Sequence, residues 1–227
     1  RSGRLSLGFE RPLGRRLGLT VTAHAERVEQ PWPRHENLFK PVSRFPEIEE
    51  DRIHLQPRRG DSVGLEVGLR YRAREHLGRL DYRLGRARDH LLDGTTVPRD
   101  IDRRHRLRLA WDWRPNSAWN VSMAWSAATG APDTPVHIDS LPVPTWVAGP
   151  IYSQRLPASH RLDVTATYAH RWRGLDLDWR IGIDNLFDHE AVRGFDTTPR
   201  RDADGAWRLP AETGLGITPR VGLSLRF

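Results

Sequence analysis

Cysteine is absent from the 227 residues, which excludes both a disulfide framework and a thiolate metal site. Methionine and lysine occur once each, as Met123 and Lys40. No stretch approaches the roughly 18 consecutive apolar residues of a transmembrane helix. A membrane span built from strands is not excluded, because only alternate residues of such a strand need be apolar. Basic residues number 36 against 29 acidic, a net charge of +7, and the mean hydropathy is −0.64. The basic excess raises nucleic acid as a partner. The arginines, however, are spread along strands and loops without a basic helix or an aromatic-studded basic motif, so no nucleic-acid binding is expected. The first residues, "RSGRLSLGFE", carry neither an initiator Met nor a signal peptide. They read as strand from Arg4, so a piece of a longer chain is expected.

What the sequence does contain is alternation. In "HRLRLAWDW" Leu107, Leu109, Trp111 and Trp113 alternate with Arg106, Arg108, Ala110 and Asp112. In "WNVSMAWS" Trp119, Val121, Met123 and Trp125 alternate with Asn120, Ser122, Ala124 and Ser126. "RLDVTATYAHRW", "LDLDWRIGID", "SVGLEVGLRY" and "RVGLSLRF" repeat the pattern. Period two sustained over many segments predicts strands, at 3–10, 17–29, 61–73, 78–90, 104–114, 118–129, 160–172, 175–187 and 218–227. Apolar residues never hold i, i+3, i+4 spacing for long, and Gly64, Gly68, Gly182 and Gly222 on the polar face would weaken helices. The class is all-β and antiparallel.

Connections alternate in length. "PLGRRLG", "RAREH", "RPNSA" and "RG" are short, whereas 30–60, 91–103, 130–159 and 188–217 are long and rich in Pro, Gly, Asp and charge. Such alternation puts all short turns at one end and all long loops at the other, the asymmetry of outer-membrane barrels with short periplasmic turns and long extracellular loops. Trp113, Trp119 and Trp172 flank short turns, where an aromatic girdle belongs. A soluble sandwich also alternates. Here, though, almost every residue of the apolar set is large, in a chain with nine Trp.

No catalytic constellation is legible. His35-Glu36 and His189-Glu190 lack a second His at metalloprotease spacing. "RDADG" at 201–205 lacks a calcium loop's third acidic position and distal Glu, and reads as a turn. No Ser sits in a nucleophile elbow. The chain is not expected to be an enzyme or to hold a cofactor or metal. On the polar faces Arg106, Arg108, Asp112, Asp163, Asp176, Asp178, Arg180 and Asp184 are candidates to meet a plug or a solute, or to pair across strands. In the loops Trp32, Trp146, Tyr152 and Trp207 are candidates to stack on a ligand, or to pack the loops.

The stretches 97–135, "YSQRLPASHRLDVTATYAHRW" (152–172), "WRIGIDNLFDHEAVRGFD" (179–196) and "PRVGLSLRF" (219–227) together resemble the last part of a TonB-dependent outer-membrane receptor. The strand–"NLFD"–loop element, followed by a final strand ending in Phe, is the most specific part. The resemblance implies a 22-stranded barrel plugged by an N-terminal globular domain. It implies TonB-driven uptake of a metal chelate, vitamin or saccharide across a Gram-negative outer membrane. Residues 1–227 would then be the C-terminal portion, strands fourteen to twenty-two. The implied partners are the missing barrel half and plug, the TonB complex through that plug, outer-membrane lipid, and the barrel assembly machinery. By the same resemblance, Phe227 belongs to the assembly signal. A porin or autotransporter barrel, or a soluble all-β binding module, is the alternative.

Register expectations follow. A two-residue turn at Arg173-Gly174 pairs Tyr168 with Trp179 and Arg171 with Asp176. The hairpin at 114–118 should place Leu109 opposite Met123.

Overall fold

A computed structural model describes residues 1–39, 45, 48–139 and 143–226. Nine long strands follow one another in the sheet as they do in the chain, each antiparallel to the last. They are β1 (Ser2–Leu13), β2 (Leu17–Glu29), β3 (Pro57–Arg72), β4 (His76–Leu91), β5 (His105–Trp113), β6 (Trp119–Ala128), β7 (Ser159–Trp172), β8 (Leu175–Asp184) and β9 (Thr218–Arg226). A short segment, Thr96–Pro98, adds to β4. Short turns lie at one end of this meander and long connections at the other, as the alternation in length requires. No helix among the described residues is long and apolar enough to cross a membrane, which says nothing of strands.

Directly opposed residues of an antiparallel pair share a face, so the register sorts the side chains. Leu19, Leu69, Leu80, Leu109, Trp125 and Leu162 form one unbroken row across six strands. Ala166, Ile181 and Val221 continue the same face to β9, and Phe9 opposite Val21 carries it to β1. Interruptions such as Arg11, Arg86, His105, His160 and His170 lie toward strand ends. The other face reads Gly68, Asp81, Arg108, Ser126 and Arg161 along a comparable row.

Nothing among the described residues covers the apolar face: Leu5, Ile181 and Val221 are 74%, 61% and 79% exposed. A soluble sandwich would bury that face against a second sheet. The buried apolar cluster lies elsewhere, among the long connections, where Leu55, Val97 and Tyr152 pack with Ile53, Leu91 and Ile151.

The turn at 173–174 sets the β7–β8 register as expected, with Tyr168 opposite Trp179 and Arg171 opposite Asp176. Arg173 and Gly174 have φ of 51° and 89°, both positive as a type I′ turn demands. The β5–β6 hairpin differs from expectation. Leu109 faces Trp125, and Met123 faces Trp111, a slip of two residues that leaves both facings intact. The cause is Asn116, whose Oδ1 accepts hydrogen bonds from the amides of Ala118 and Trp119 at 2.9 and 3.0 Å. That side-chain turn consumes residues the shorter loop would have given to the ladder.

Three strand ends also differ from expectation by three residues or more. β1 runs to Leu13 rather than 10. β8 stops at Asp184 rather than 187, because Asn185 turns at φ 53°. β3 begins at Pro57 rather than 61. Phe227 lies outside the described residues.

Asn accepts a left-handed backbone more readily than Arg. Arg173→Asn should therefore raise the unfolding free energy of the protein, by up to about 1 kcal/mol less the lost stacking on Trp172. Urea unfolding in detergent measures it, and a lowered midpoint would mean that the guanidinium over the Trp172 ring, 4.9 Å away, outweighs the backbone.

Candidate functional site

Three of the four long connections fold back on themselves, and the fourth, 91–103, pairs with the end of β4. Arg34–Asn37 pairs with Arg52–Leu55, Val136–Asp139 with Thr145–Ala148, Val192–Phe195 with Ala211–Thr213, and Arg200–Arg201 with Trp207–Arg208. These hairpins, two to four residues on a side, are too short for alternation to reveal them. They are then bound to one another. Phe39 meets the Trp146 ring edge-on at 5.0 Å, and its carbonyl accepts a hydrogen bond from the Phe195 amide at 3.0 Å. Leu55, Val97 and Tyr152 come from three different connections.

Charge reinforces the apolar contacts. Asp89, at the end of β4, is fully buried and ion-paired with Arg34 at 2.6 Å and Arg99 at 2.8 Å. Gly60 makes this arrangement fit: a Cβ there would stand 1.9 Å from Arg99 Nη2. Arg34 also pairs with Glu36, which accepts the Tyr152 hydroxyl. Asp102 accepts the Ala87 amide at 2.9 Å and pairs with Arg155. Of these six charged residues the sequence marks only Glu36, as a loop residue beside His35. Their partners lie up to 116 positions away, beyond any local pattern.

The "NLFD" element serves as the foot of the last long connection. Asn185 is buried. Its amide group donates to the carbonyls of His189 at 3.2 Å and Leu215 at 3.0 Å, and its Oδ1 accepts the His189 amide at 3.2 Å. Asp188 accepts the Ile217 amide at 2.7 Å. Both Asn185 and Asp188 adopt positive φ, a conformation that Asn and Asp tolerate best among non-glycine residues.

The loop candidates separate. Trp32 is 90% exposed and free to meet a ligand. Trp146 is committed to Phe39. Tyr152 is buried in the apolar cluster, so it packs the loops instead of facing solvent. Trp207 lines a cavity of about 270 Å³ with Asp133, His137 and Phe195, and Arg201 lies over its ring at 5.0 Å. "RDADG" is the turn expected: Asp202 Oδ1 accepts the amides of Asp204 and Ala206, each at 3.0 Å. His35 stacks on His54, and His189 on His160. Among the described residues no group of three or more His, Asp and Glu is placed to hold a metal.

The polar-face candidates separate by sign. Every carboxylate has a partner. Asp112 accepts Ser122 Oγ at 2.6 Å, and Asp163 pairs with Arg161 at 2.7 Å. Asp176 lies 3.4 Å from Arg171, Asp178 2.7 Å from Arg226, and Asp184 2.6 Å from Arg220. Arg106, Arg108 and Arg180 make no ion pair among the described residues. Beneath the loops a cavity of about 480 Å³ is lined by Arg103, Arg106, Arg108, Arg161 and Arg193, with Asp100 its single carboxylate.

No family model matches the sequence, and no curated protein matches it. Solved structures do. The ferric-catecholate import receptor Fiu of E. coli K12 superposes with a TM-score of 0.61 at 15% identity, over 98% of this chain and 27% of its own. The copper transporter OprC gives 0.60 at 12%, over 98% and 31%. The outer membrane transporter YddB of Escherichia coli gives 0.61 at 10%, over 100% and 32%. This chain has the fold of part of the β-barrels of these proteins. The chain spans about a third or less of the solved chains it matches.

Burial holds the Glu36 carboxyl above its ordinary value of 4.5, against the opposing pull of the Tyr152 hydroxyl and Arg34. Burial and the neighbouring Glu36 likewise push the Tyr152 hydroxyl up. The folded loop layer therefore takes a proton at Glu36 more readily than the unfolded chain. Its contribution to stability is complete below pH 4.5 and is lost as pH rises through the raised value. Glu36→Gln should remove that dependence, so the melting temperature of wild type relative to E36Q should fall from pH 4 to neutrality. A difference that is flat across this range would show Glu36 unperturbed.

Proposed function

We propose that residues 1–227 are part of the barrel wall of a TonB-dependent outer-membrane receptor that takes up a scarce solute. One observation carries the reading: a continuous apolar face crosses nine strands uncovered, backed by a polar face and capped at one end by interlocked loops. A sheet of that make-up is stable when lipid takes the apolar side and a wet lumen the other. The edge strands β1 and β9 expose their outer backbone groups, which lipid cannot satisfy. On this reading they pair with strands outside the chain, and a plug outside it fills the lumen and meets TonB. The assembly machinery reads the last strand, including Phe227.

The role has no bond chemistry. The loop layer captures the solute, and the wall guides it once the plug moves. The neighbours named above are an import receptor and two transporters. One is named for ferric catecholate and another for copper, at nearly equal structural similarity to this chain. The fold therefore does not choose the cargo, and a metal chelate, a vitamin and a saccharide all fit it.

Arginine substitutions test the facing. Leu109→Arg, Val164→Arg and Ile181→Arg should each cost about 2–4 kcal/mol if these side chains lie near the bilayer midplane. Thr165→Arg and Ser122→Arg, on the polar face, should be mild. The measurement is the amount of full-length receptor showing heat-modifiable migration after extraction from outer membranes. Equal tolerance of both sets would overturn the membrane reading. Purified receptor should also give no standing conductance in a planar bilayer, whereas a steady open channel would mark an unplugged porin.

A further inference from the structure

Five arginines and two carboxylates, with Thr20, Thr22, Gly68 and two others, line a second polar-face concavity of about 230 Å³. The carboxylates are spoken for. Asp81 accepts Arg79 Nε and Nη2 at 2.6 and 3.0 Å, and Glu66 lies 3.3 Å from Arg83. Arg70, Arg106 and Arg108 are left without an ion pair among the described residues, and Arg106 reaches only the Ile101 carbonyl at 3.2 Å. The register sharpens the imbalance. Arg106 stands directly opposite Arg83, a like-charge pairing that opposes sheet formation, and Arg103 and Arg108 add further like charge to it.

Arg106 and Arg108 also line the 480 Å³ cavity beneath the loops. The two concavities therefore adjoin, and their cations descend the wall. Arg103 lies at the loop end, Arg106 and Arg108 come next on β5, then Arg79 on β4, with Arg70 beside the short turn of β3. A guanidinium fork binds an oxyanion through two parallel N–H···O bonds. The unpaired forks of Arg106, Arg108 and Arg70 stand at successive heights and give a mobile ligand several weak sites in line, which passage requires. A fixed contact needs one height only.

We propose that Arg106 and Arg108 form the central station of an anion path along this wall, taking a solute that carries phosphate or carboxylate groups. The proposal rests on the polar face being the barrel lumen.

The probe is inorganic pyrophosphate, titrated calorimetrically into full-length receptor in detergent at fixed ionic strength. Saturable binding is expected, weakened about tenfold or more in R106Q/R108Q and unchanged in Arg4→Gln, a polar-face arginine outside both concavities. The R106K/R108K pair, which keeps charge but loses the forks, should recover only part of the affinity. Absence of binding to wild type overturns the proposal. So does unchanged affinity in R106Q/R108Q. If wild type binds nothing while R106Q/R108Q makes the rest of the receptor protease-sensitive, the arginines clamp acidic side chains of the protein, and the solute path falls. Failure of the underlying reading shows separately. A cysteine placed at Ser126, between Arg108 and Arg161 in register, should react with a water-soluble maleimide. Reaction only with a lipid-phase reagent would overturn the lumen assignment itself.

Discussion

In an antiparallel ladder a residue and its partner cannot point to different sides, and this sheet depends on that rule. Once Leu19 is apolar and outward, Leu69, Leu80, Leu109, Trp125 and Leu162 must be outward too. On the membrane reading, lipid is the apolar medium that relieves this row all along its length. The complementary row must then be wet, which is why charged residues tolerate their positions there. The exposed ion pairs of that wet face are individually worth only about 0–1 kcal/mol. They neutralise the wall rather than hold it up. Holding it up falls to the ladder hydrogen bonds and to the medium.

The opposite economy governs the loop layer. There, water is excluded from Asp89, Asp102 and Asn185, and each of the three finds its partners inside the protein. For Asp89 and Asp102 the arginine partners come from other connections, so satisfying one loop ties it to the next. Asp89 alone joins the hairpin at 34–37 to the segment after β4 through Arg34 and Arg99. Removing one member of such a set leaves an uncompensated buried charge, a larger penalty than the net worth of the pair.

The wall was legible in the sequence because its rule is local. Alternation at 104–114 or 175–184 needs only a window of ten residues, and the Arg173-Gly174 turn carries its own geometry. Where a side chain intervened, as Asn116 does in the β5–β6 turn, the register slipped while the facing survived, since facing depends on parity alone. The polar-face candidates were legible as a set. Which of them stand unpaired was not, because pairing depends on neighbours across three strands. The loop network was not legible at all. Glu36 followed a histidine in what read as an ordinary loop, and its hydroxyl partner, Tyr152, sits in another connection.

The interlocking of the loops has a kinetic consequence. Segments joined through a shared buried cluster and shared buried charges cannot open one at a time at low cost, since releasing any of them strands groups belonging to the others. Such a layer behaves as one cooperative opening unit, with a single free energy of exposure in place of four separate ones. Exchange of its protected amides with solvent would then proceed in step, at Leu38, Tyr152 and Leu156 alike. Access to the arginine wall beneath would be governed by that one collective event.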